Sequence, residues 1–515
     1  FNYLVVKFTI SYYQNHNTHG YTMARYLLGY DLGSSSIKAS LVNAETGQAV
    51  SSAQSPAEEM SMLAVKPGWA EQDPEMWWEH LVKSTNACLQ KSGATASDIA
   101  AIGISYQMHG LVCVDKDQKA LRPSIIWCDS RAVGIGNEAF KQLGEKYCLE
   151  RLLNSPGNFT ASKLKWVKDN EPDVYAQIYK VMLPGDFIAM RLTGEIATTA
   201  SGLSEGILWD YDKNTSPERL LNFYGVDASL LANVVPTFSV QGKLRKSIAE
   251  TLGLKEGTPV AYRAGDQPNN AFSLNVLNPG ETAATAGTSG VIYSVTDKNA
   301  YDTKSRVNTF IHVNNRAAIG QDASKPEIRN GVLLCINGTG ILNSWLRKNM
   351  RSTGASYEYD AINKISAEAP VGSDGLVVLP FGNGAERVLE NKNINSSFHG
   401  LNFNRHQQSH VFRAAQEGIV FALKYGFDVL QDMGLKTKVI RAGNANMFLS
   451  PLFREAFVNT IDARLELYDT DGAKGAALGA GVGAGIYGSF EEAFKGLNVI
   501  RAEEPSEKLK LPYAE

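Results

Sequence analysis

The feature that most constrains the fold of this chain is a device used twice. Tyr26–Tyr30 is an apolar run ending on Asp31; Gly33, Ser34, Ser35 and Ser36 follow, and Ile37–Val42 resumes with strand character. This reads as a strand, a tight polar turn and a returning strand. Far along the chain, Glu281–Ala286, the turn Gly287-Thr288-Ser289-Gly290 and Val291–Val295 repeat the pattern. The repeat predicts two similarly built lobes with phosphates held between them. Each turn offers backbone N–H groups and hydroxyls to an anion, and Lys38 stands close behind the first. Asp31, at a strand end, is placed to hold a hydrated cation beside that anion. Mg²⁺ suits such a place, because it is usually bound by few carboxylates plus phosphate oxygens. Alone, the first stretch reads as readily as an ordinary hairpin with a serine-rich turn.

A chain of 515 residues exceeds what one hydrophobic core serves, so two large domains are expected. With 44% apolar residues it has ample core. A net charge of −3 and the lack of basic blocks exclude an electrostatic footprint for nucleic acid or an anionic membrane. The five cysteines show no ligand spacing and read as buried, reduced thiols of a cytoplasmic protein. His406 and His410 lie four apart without an acidic companion, which predicts a solvated helix start rather than a metal site. Gly475–Gly488 is short and rich in Gly and Ala, suiting close helix packing as well as a membrane dimer; the water-soluble reading is taken. Residues 1–22 do not resemble a signal peptide and are expected to be an upstream, disordered or appended tail.

Asp73 as N-cap, Pro74 at the first helical position and Gly93 as terminator predict a helix from Pro74 to about Lys91. Ile99–Ser105 reads as a buried strand that delivers Tyr106-Gln107-Met108-His109-Gly110 at its C-terminal end, where ligands bind in open α/β sheets. His109 is there equally a core histidine or a ligand. Pro259–Ala264 is another strand, ending in Gly265-Asp266-Gln267. Gly338-Thr339-Gly340 precedes a helix, Phe381-Gly382-Asn383-Gly384-Ala385-Glu386-Arg387 forms a glycine-containing loop, and a long amphipathic helix spans about His410–Met433. A strand at Lys438–Arg441 then leads to Ala442-Gly443-Asn444-Ala445. Glycine after a strand suits close approach to a nucleotide.

In this order the motifs resemble those of the FGGY carbohydrate kinases, and within them the kinases of D-xylulose. The resemblance rests on Gly29–Lys38, Trp69–Pro74, Gln107–Gly110, Arg122–Trp127, Ala264–Gln267 and Ala286–Gly290, and spans Arg25 to about Gly485. It implies an α/β fold of two actin-like (ribonuclease H-like) ATPase lobes around a central cleft. The upstream tail would cover residues 1–22, the N-terminal lobe 23–262 and the C-terminal lobe 263–515. It implies transfer of the γ-phosphoryl of Mg-ATP to a sugar hydroxyl, with Asp266 as general base; a carboxylate near its reference pKa of about 3.9 is a weak base at pH 7 but is fully ionised. Asp31 would hold Mg²⁺ through water. Ser34, Ser35 and Lys38 match the first phosphate turn, and Gly287, Thr288 and Ser289 the second. Met108 and His109 match the sugar-contacting pair; Gln107, Trp127, Asp266 and Gln267 complete the sugar side. Gly338, Gly340, Gly443 and Asn444 are candidates for the adenosine and phosphate side, where the family's Gly-Gly-Gly-Ala reads Ala442-Gly443-Asn444-Ala445. A homodimer is common in the family. The competing readings are another kinase of the family, acting on ribulose, gluconate or glycerol, and a non-catalytic sugar or nucleotide sensor.

Overall fold

In a computed structural model, which describes residues 25–316, 327–351 and 357–515, the repeated device opens two sheets of one topology. The tail 1–22 lies outside the described residues. In the first sheet Tyr26–Leu32, Ile37–Asn43 and Ala49–Ser55 form an antiparallel meander. Ile99–Tyr106 pairs parallel with Tyr26–Leu32, Pro259–Gly265 adds parallel to it, and Phe238–Lys243 closes that edge antiparallel. In the second sheet Thr282–Ala286, Gly290–Thr296 and Asn330–Ile336 form the meander. Val439–Gly443 and Arg464–Tyr468 add in parallel, and Val499–Glu503 closes the edge antiparallel. Asn308–Ile311, beyond Asn330–Ile336, is the extra strand of the second sheet. Pro259–Gly265 is an inner strand of the first sheet, so the expected division between 262 and 263 passes through it.

Side chains alternate across a strand, and both faces of Tyr26–Leu32 are covered. Leu28, Tyr30 and Leu32 share a core with Trp77, Leu81 and Cys88 of the helix Pro74–Ser92. That helix starts and stops as its sequence predicts: the Asp73 carboxylate accepts from the Glu75 N–H at 2.9 Å, and Gly93 takes φ 68°. Leu27, Gly29 and Asp31 face the other way, toward the helix Gly472–Gly483. This helix is the small-residue stretch of the sequence. It crosses back from the second half of the chain to lie on the first sheet at backbone distance. A Cβ on Gly29 would stand 1.9 Å from the Ala473 carbonyl oxygen, and one on Gly103 2.0 Å from that of Ala476. Gly29→Ala is therefore expected to force helix and sheet apart and to destabilise by about 1–3 kcal/mol or more, read from the denaturant midpoint.

Residues 108–231 divide between two cores: Met182, Phe187 and Met190 join that of Leu28, Tyr30 and Trp77 on the first sheet, and the rest packs toward the second sheet. Leu203, Ile207 and Phe159 share a core with Ala283, Val291 and Tyr293 of the second sheet, and Asn154 Nδ2 donates to the Thr309 carbonyl at 2.8 Å. The helix Gln408–Asp432 covers the other face of the second sheet. Two expectations change here. His410 is not solvated: it is buried, its Nε2 3.2 Å from Asp374 Oδ2. No group of three or more potential metal ligands forms among the described residues. Cys88, Cys113 and Cys148 are buried free thiols, but Cys128 is exposed.

Candidate active site

Asp31 sits at the C-terminal end of its strand on the face that meets the helix Gly472–Gly483. Ser105 Oγ, from the neighbouring parallel strand, donates to Asp31 Oδ1 at 2.9 Å. A Cβ on Gly472 would lie 2.3 Å from Asp31 Oδ2, so only bare backbone fits between helix start and carboxylate. Asp471, the N-cap of that helix, accepts from the Lys474 N–H and pairs with Lys38 Nζ at 2.5 Å. Lys38, matched to the first phosphate turn, is thus tied to a residue contributed from the far end of the chain. Burial is the main cause that raises the Asp31 pKa; the Ser105 hydrogen bond only partly offsets it.

The parallel strand Pro259–Gly265 delivers Asp266 as the first residue of the helix Asp266–Ser273. Gly265 packs closely here: a Cβ would lie 2.4 Å from Glu205 Oε2 and 2.6 Å from Met108 Cγ, so any larger residue would displace these side chains. Asp266 is therefore set on a backbone packed directly against the predicted sugar residues. Its carboxyl is not near the reference value that the sequence reading assumed. Burial first, and the Asp31 charge second, push its pKa up to about 7, against hydrogen bonds from Gln267 that pull it down. Low polarity and a second carboxylate both penalise the ionised form. Neither Asp31 nor Asp266 makes an ion pair with a protein cation among the described residues. Two such acids, each short of positive charge, suit a divalent cation that keeps most of its ligands as phosphate and water oxygens.

On the sugar side, Gln107 is buried. Its Nε2 lies 3.4 Å from Gln72 Oε1, and its Oε1 has no protein partner. His109 takes φ 62°, which turns its ring so that Nδ1 lies 2.8 Å from the Glu205 carbonyl oxygen. Nδ1 facing a carbonyl must carry the proton, which leaves Nε2 an acceptor. Burial, then the nearby Lys163 ammonium, lowers its pKa to about 3 and keeps it neutral. Lys163 Nζ donates to the His109 and Ile126 carbonyls, each at 2.9 Å, fixing the loop from below. Phe159 stands edge-on to the imidazole at 4.9 Å. Trp127 Nε1 donates to Ser34 Oγ at 3.3 Å, and Gln72 Nε2 to the Ser34 carbonyl at 2.7 Å. The first polar turn is thus joined to the sugar wall, while Ser35 is exposed.

The second turn is fused to the helix that follows Gly338-Thr339. The Gly340 and Ile341 N–H groups donate to the Gly287 and Thr288 carbonyls at 2.9 and 3.2 Å. A Cβ on Gly340 would lie 2.2 Å from the Gly287 carbonyl oxygen, and one on Gly338 1.5 Å from that of Pro380. Backbone packing alone requires these two glycines. Gly443 likewise stands against the Thr470 carbonyl, and the Asn444 N–H donates to that of Tyr468 at 2.9 Å. Gly287 differs: the nearest atom to its Cβ would be Asn446 Nδ2, at 3.6 Å, so its backbone is open to a ligand. Exposed Thr288 and part-buried Ser289 continue that open edge. Glu205, Phe159 and Asp471-Gly472 join the site without a signal in the sequence, because each arrives from a different element, whereas Gln72 comes from the Trp69–Pro74 motif.

Two sheets of one topology, each opened by a strand, a polar turn and a returning strand, define a two-lobed α/β fold of the actin-like class. The models of the N- and C-terminal domains of the FGGY family of carbohydrate kinases match residues 26–273 and 282–486. The xylulose kinase of Escherichia coli is 29% identical over 493 residues, 95% of each chain. The gluconokinase of Bacillus subtilis is 27% identical over 417 residues, 78% of this chain and 76% of that one. A crystal structure described as a xyloylose kinase from Brucella ovis superposes with TM-score 0.81 at 26% identity, covering 95% of this chain and 96% of that one. The chain belongs to the FGGY family of carbohydrate kinases, enzymes that phosphorylate sugars from ATP. No helix among the described residues is long and apolar enough to cross a membrane.

Proposed function

We propose that this kinase phosphorylates D-xylulose at its C5 hydroxyl, with Asp266 as general base. One observation carries the reading: Gly265 packs on Met108 and beside Glu205, whose carbonyl fixes His109. The base and the sugar-contacting pair are therefore one rigid unit. His109 Nε2 accepts from a sugar hydroxyl, while Gln107 Oε1, Gln267 and Trp127 line the rest of the pocket. As the C5 oxygen attacks the γ-phosphorus, the bond from phosphorus to the β–γ bridging oxygen breaks, ADP leaves, and the hydroxyl proton passes to Asp266. A pKa near 7 makes that carboxylate a better-matched base at neutral pH than an exposed one.

Ser34 and Gly287–Ser289 hold phosphate oxygens from the two sides, and the tied Lys38–Asp471 pair braces the first turn. Asp31 would hold Mg²⁺ through water, and the ion would neutralise charge on the transferring phosphoryl group. Closure of the lobes keeps water from taking the phosphoryl group.

ADP release with Mg-ATP and a panel of pentuloses, hexuloses, polyols and D-gluconate tests the reading. The highest kcat/KM is expected with D-xylulose. A higher value with D-gluconate, in line with the gluconokinase relative, would keep the mechanism and overturn the substrate.

A further inference from the structure

The loop 381–387 reaches from the second lobe into the pocket built by the first. Both carboxylate oxygens of the buried Glu386 accept from the Asn337 N–H at 3.1 Å. Asn337 Nδ2 donates to the Ala385 carbonyl at 3.0 Å, and Asn383 Nδ2 to that of Asn337 at 3.2 Å. The loop is thus stitched to the residue just before Gly338-Thr339-Gly340, the segment fused to the second phosphate turn.

The next residue, Arg387, leaves this anchor and crosses to the sugar side. Its guanidinium carbon lies over the Phe159 ring, 5.0 Å from the centroid, and Phe159 is the ring packed edge-on to His109. Gly157 makes room for it: a Cβ there would stand 3.1 Å from Nη2 and 3.4 Å from Nη1. Nη1 is buried and has no hydrogen-bond acceptor. No carboxylate forms an ion pair with Arg387 among the described residues. Cys335, which feels its charge, is no counter-ion, because burial pushes that thiol up to about 12. The Arg387 pKa is itself lowered by burial, to about 10, so the group stays charged at neutral pH. Arg387 as a whole is part-buried, but a buried N–H of a cation costs free energy unless it is hydrogen-bonded, and one aromatic face is weak compensation. What is missing beside His109 is an acceptor oxygen.

We infer that Arg387 is the second lobe's ligand to the acceptor sugar, its Nη1 donating to an oxygen of the molecule held at His109. The inference rests on the sugar-kinase reading above but not on which sugar is used. It also gives the cleft a mechanical logic. A sugar bridging His109 and Arg387 draws the Glu386 loop, and with it the second phosphate turn, against the first lobe.

Calorimetric titration of D-xylulose into the wild-type protein, Arg387→Met and Arg387→Lys tests this. Mg-ATP without sugar is titrated in parallel, and a melting curve is recorded for each protein. One lost charge-assisted hydrogen bond is expected to weaken sugar binding about 10- to 100-fold in Arg387→Met. Arg387→Lys recovers part of that loss. Mg-ATP affinity is unchanged, and the melting temperature of Arg387→Met does not fall, because the charge it removes is unpaired. Unchanged sugar affinity in Arg387→Met overturns the inference, and so does an equal loss of both ligands with a lower melting temperature. If the wild type binds another sugar of the panel but not D-xylulose, the substrate assignment fails and Arg387 is tested with that sugar. If it binds none, both fall.

Discussion

Asp266→Asn is expected to lower kcat by about 10²–10⁴, the range for loss of a positioned base, while the KM for sugar changes little. The amide keeps the shape of the carboxylate and its place at the start of its helix, but cannot take the proton. The same substitution is expected to stabilise the metal-free protein. The folded-state pKa of Asp266 is about 7, above its unfolded value of 3.8. The stabilisation this group contributes through its proton is therefore complete below about pH 4. It is lost as the pH rises through about 7. Above pH 7 the fold carries an ionised, poorly solvated carboxylate beside Asp31. Relieving it is worth on the order of 1–3 kcal/mol after allowance for partial exposure to solvent. The difference in melting temperature between variant and wild type should therefore be small at pH 4–5 and favour the variant at pH 8. A variant with near-normal kcat would remove Asp266 from the mechanism. One that is inactive and less stable at pH 8 would mean that the carboxylate is structural.

What could be read from the sequence was whatever is local along it. Both strand–turn–strand devices announce themselves by alternation and polar turns, and their repetition foretold two sheets of one design. The helix Pro74–Ser92 was legible from Asp73, Pro74 and Gly93, three residues that act on their own neighbourhood. What escaped depends on partners distant in sequence. Lys38 stands beside a phosphate turn in the sequence, yet Asp471 claims it. Gly338 and Gly340 looked like glycines kept small for a nucleotide, but the Pro380 and Gly287 carbonyls already exclude a side chain. His410, four residues from His406, looked solvated until Asp374 was placed against it. Asp266 could be singled out from its motif as the candidate base. Its raised pKa was not, because that follows from burial and from Asp31, on another strand.

Asp31→Asn is expected to lower kcat by about 10²–10³, the scale of losing one preorganised electrostatic contact in a closed site, and to raise the Mg²⁺ concentration needed for half-maximal rate. The sugar KM should be nearly unchanged, since Asp31 faces Gly472 and Ser105 rather than His109. The substitution also separates the two acids. With one negative charge gone, the second-largest cause of the raised Asp266 pKa disappears. In metal-free protein the Asp266 carboxyl should then titrate below its wild-type midpoint, a shift readable by infrared difference spectroscopy. Burial remains, so the midpoint should stay above that of an exposed aspartate. The two readouts have different causes: the rate follows the metal, and the titration follows the distance between carboxylates. A fall in kcat without a change in Mg²⁺ requirement would take Asp31 off the metal. An unchanged Asp266 midpoint would mean that burial alone sets its basicity, and that the paired acids do not act as a unit.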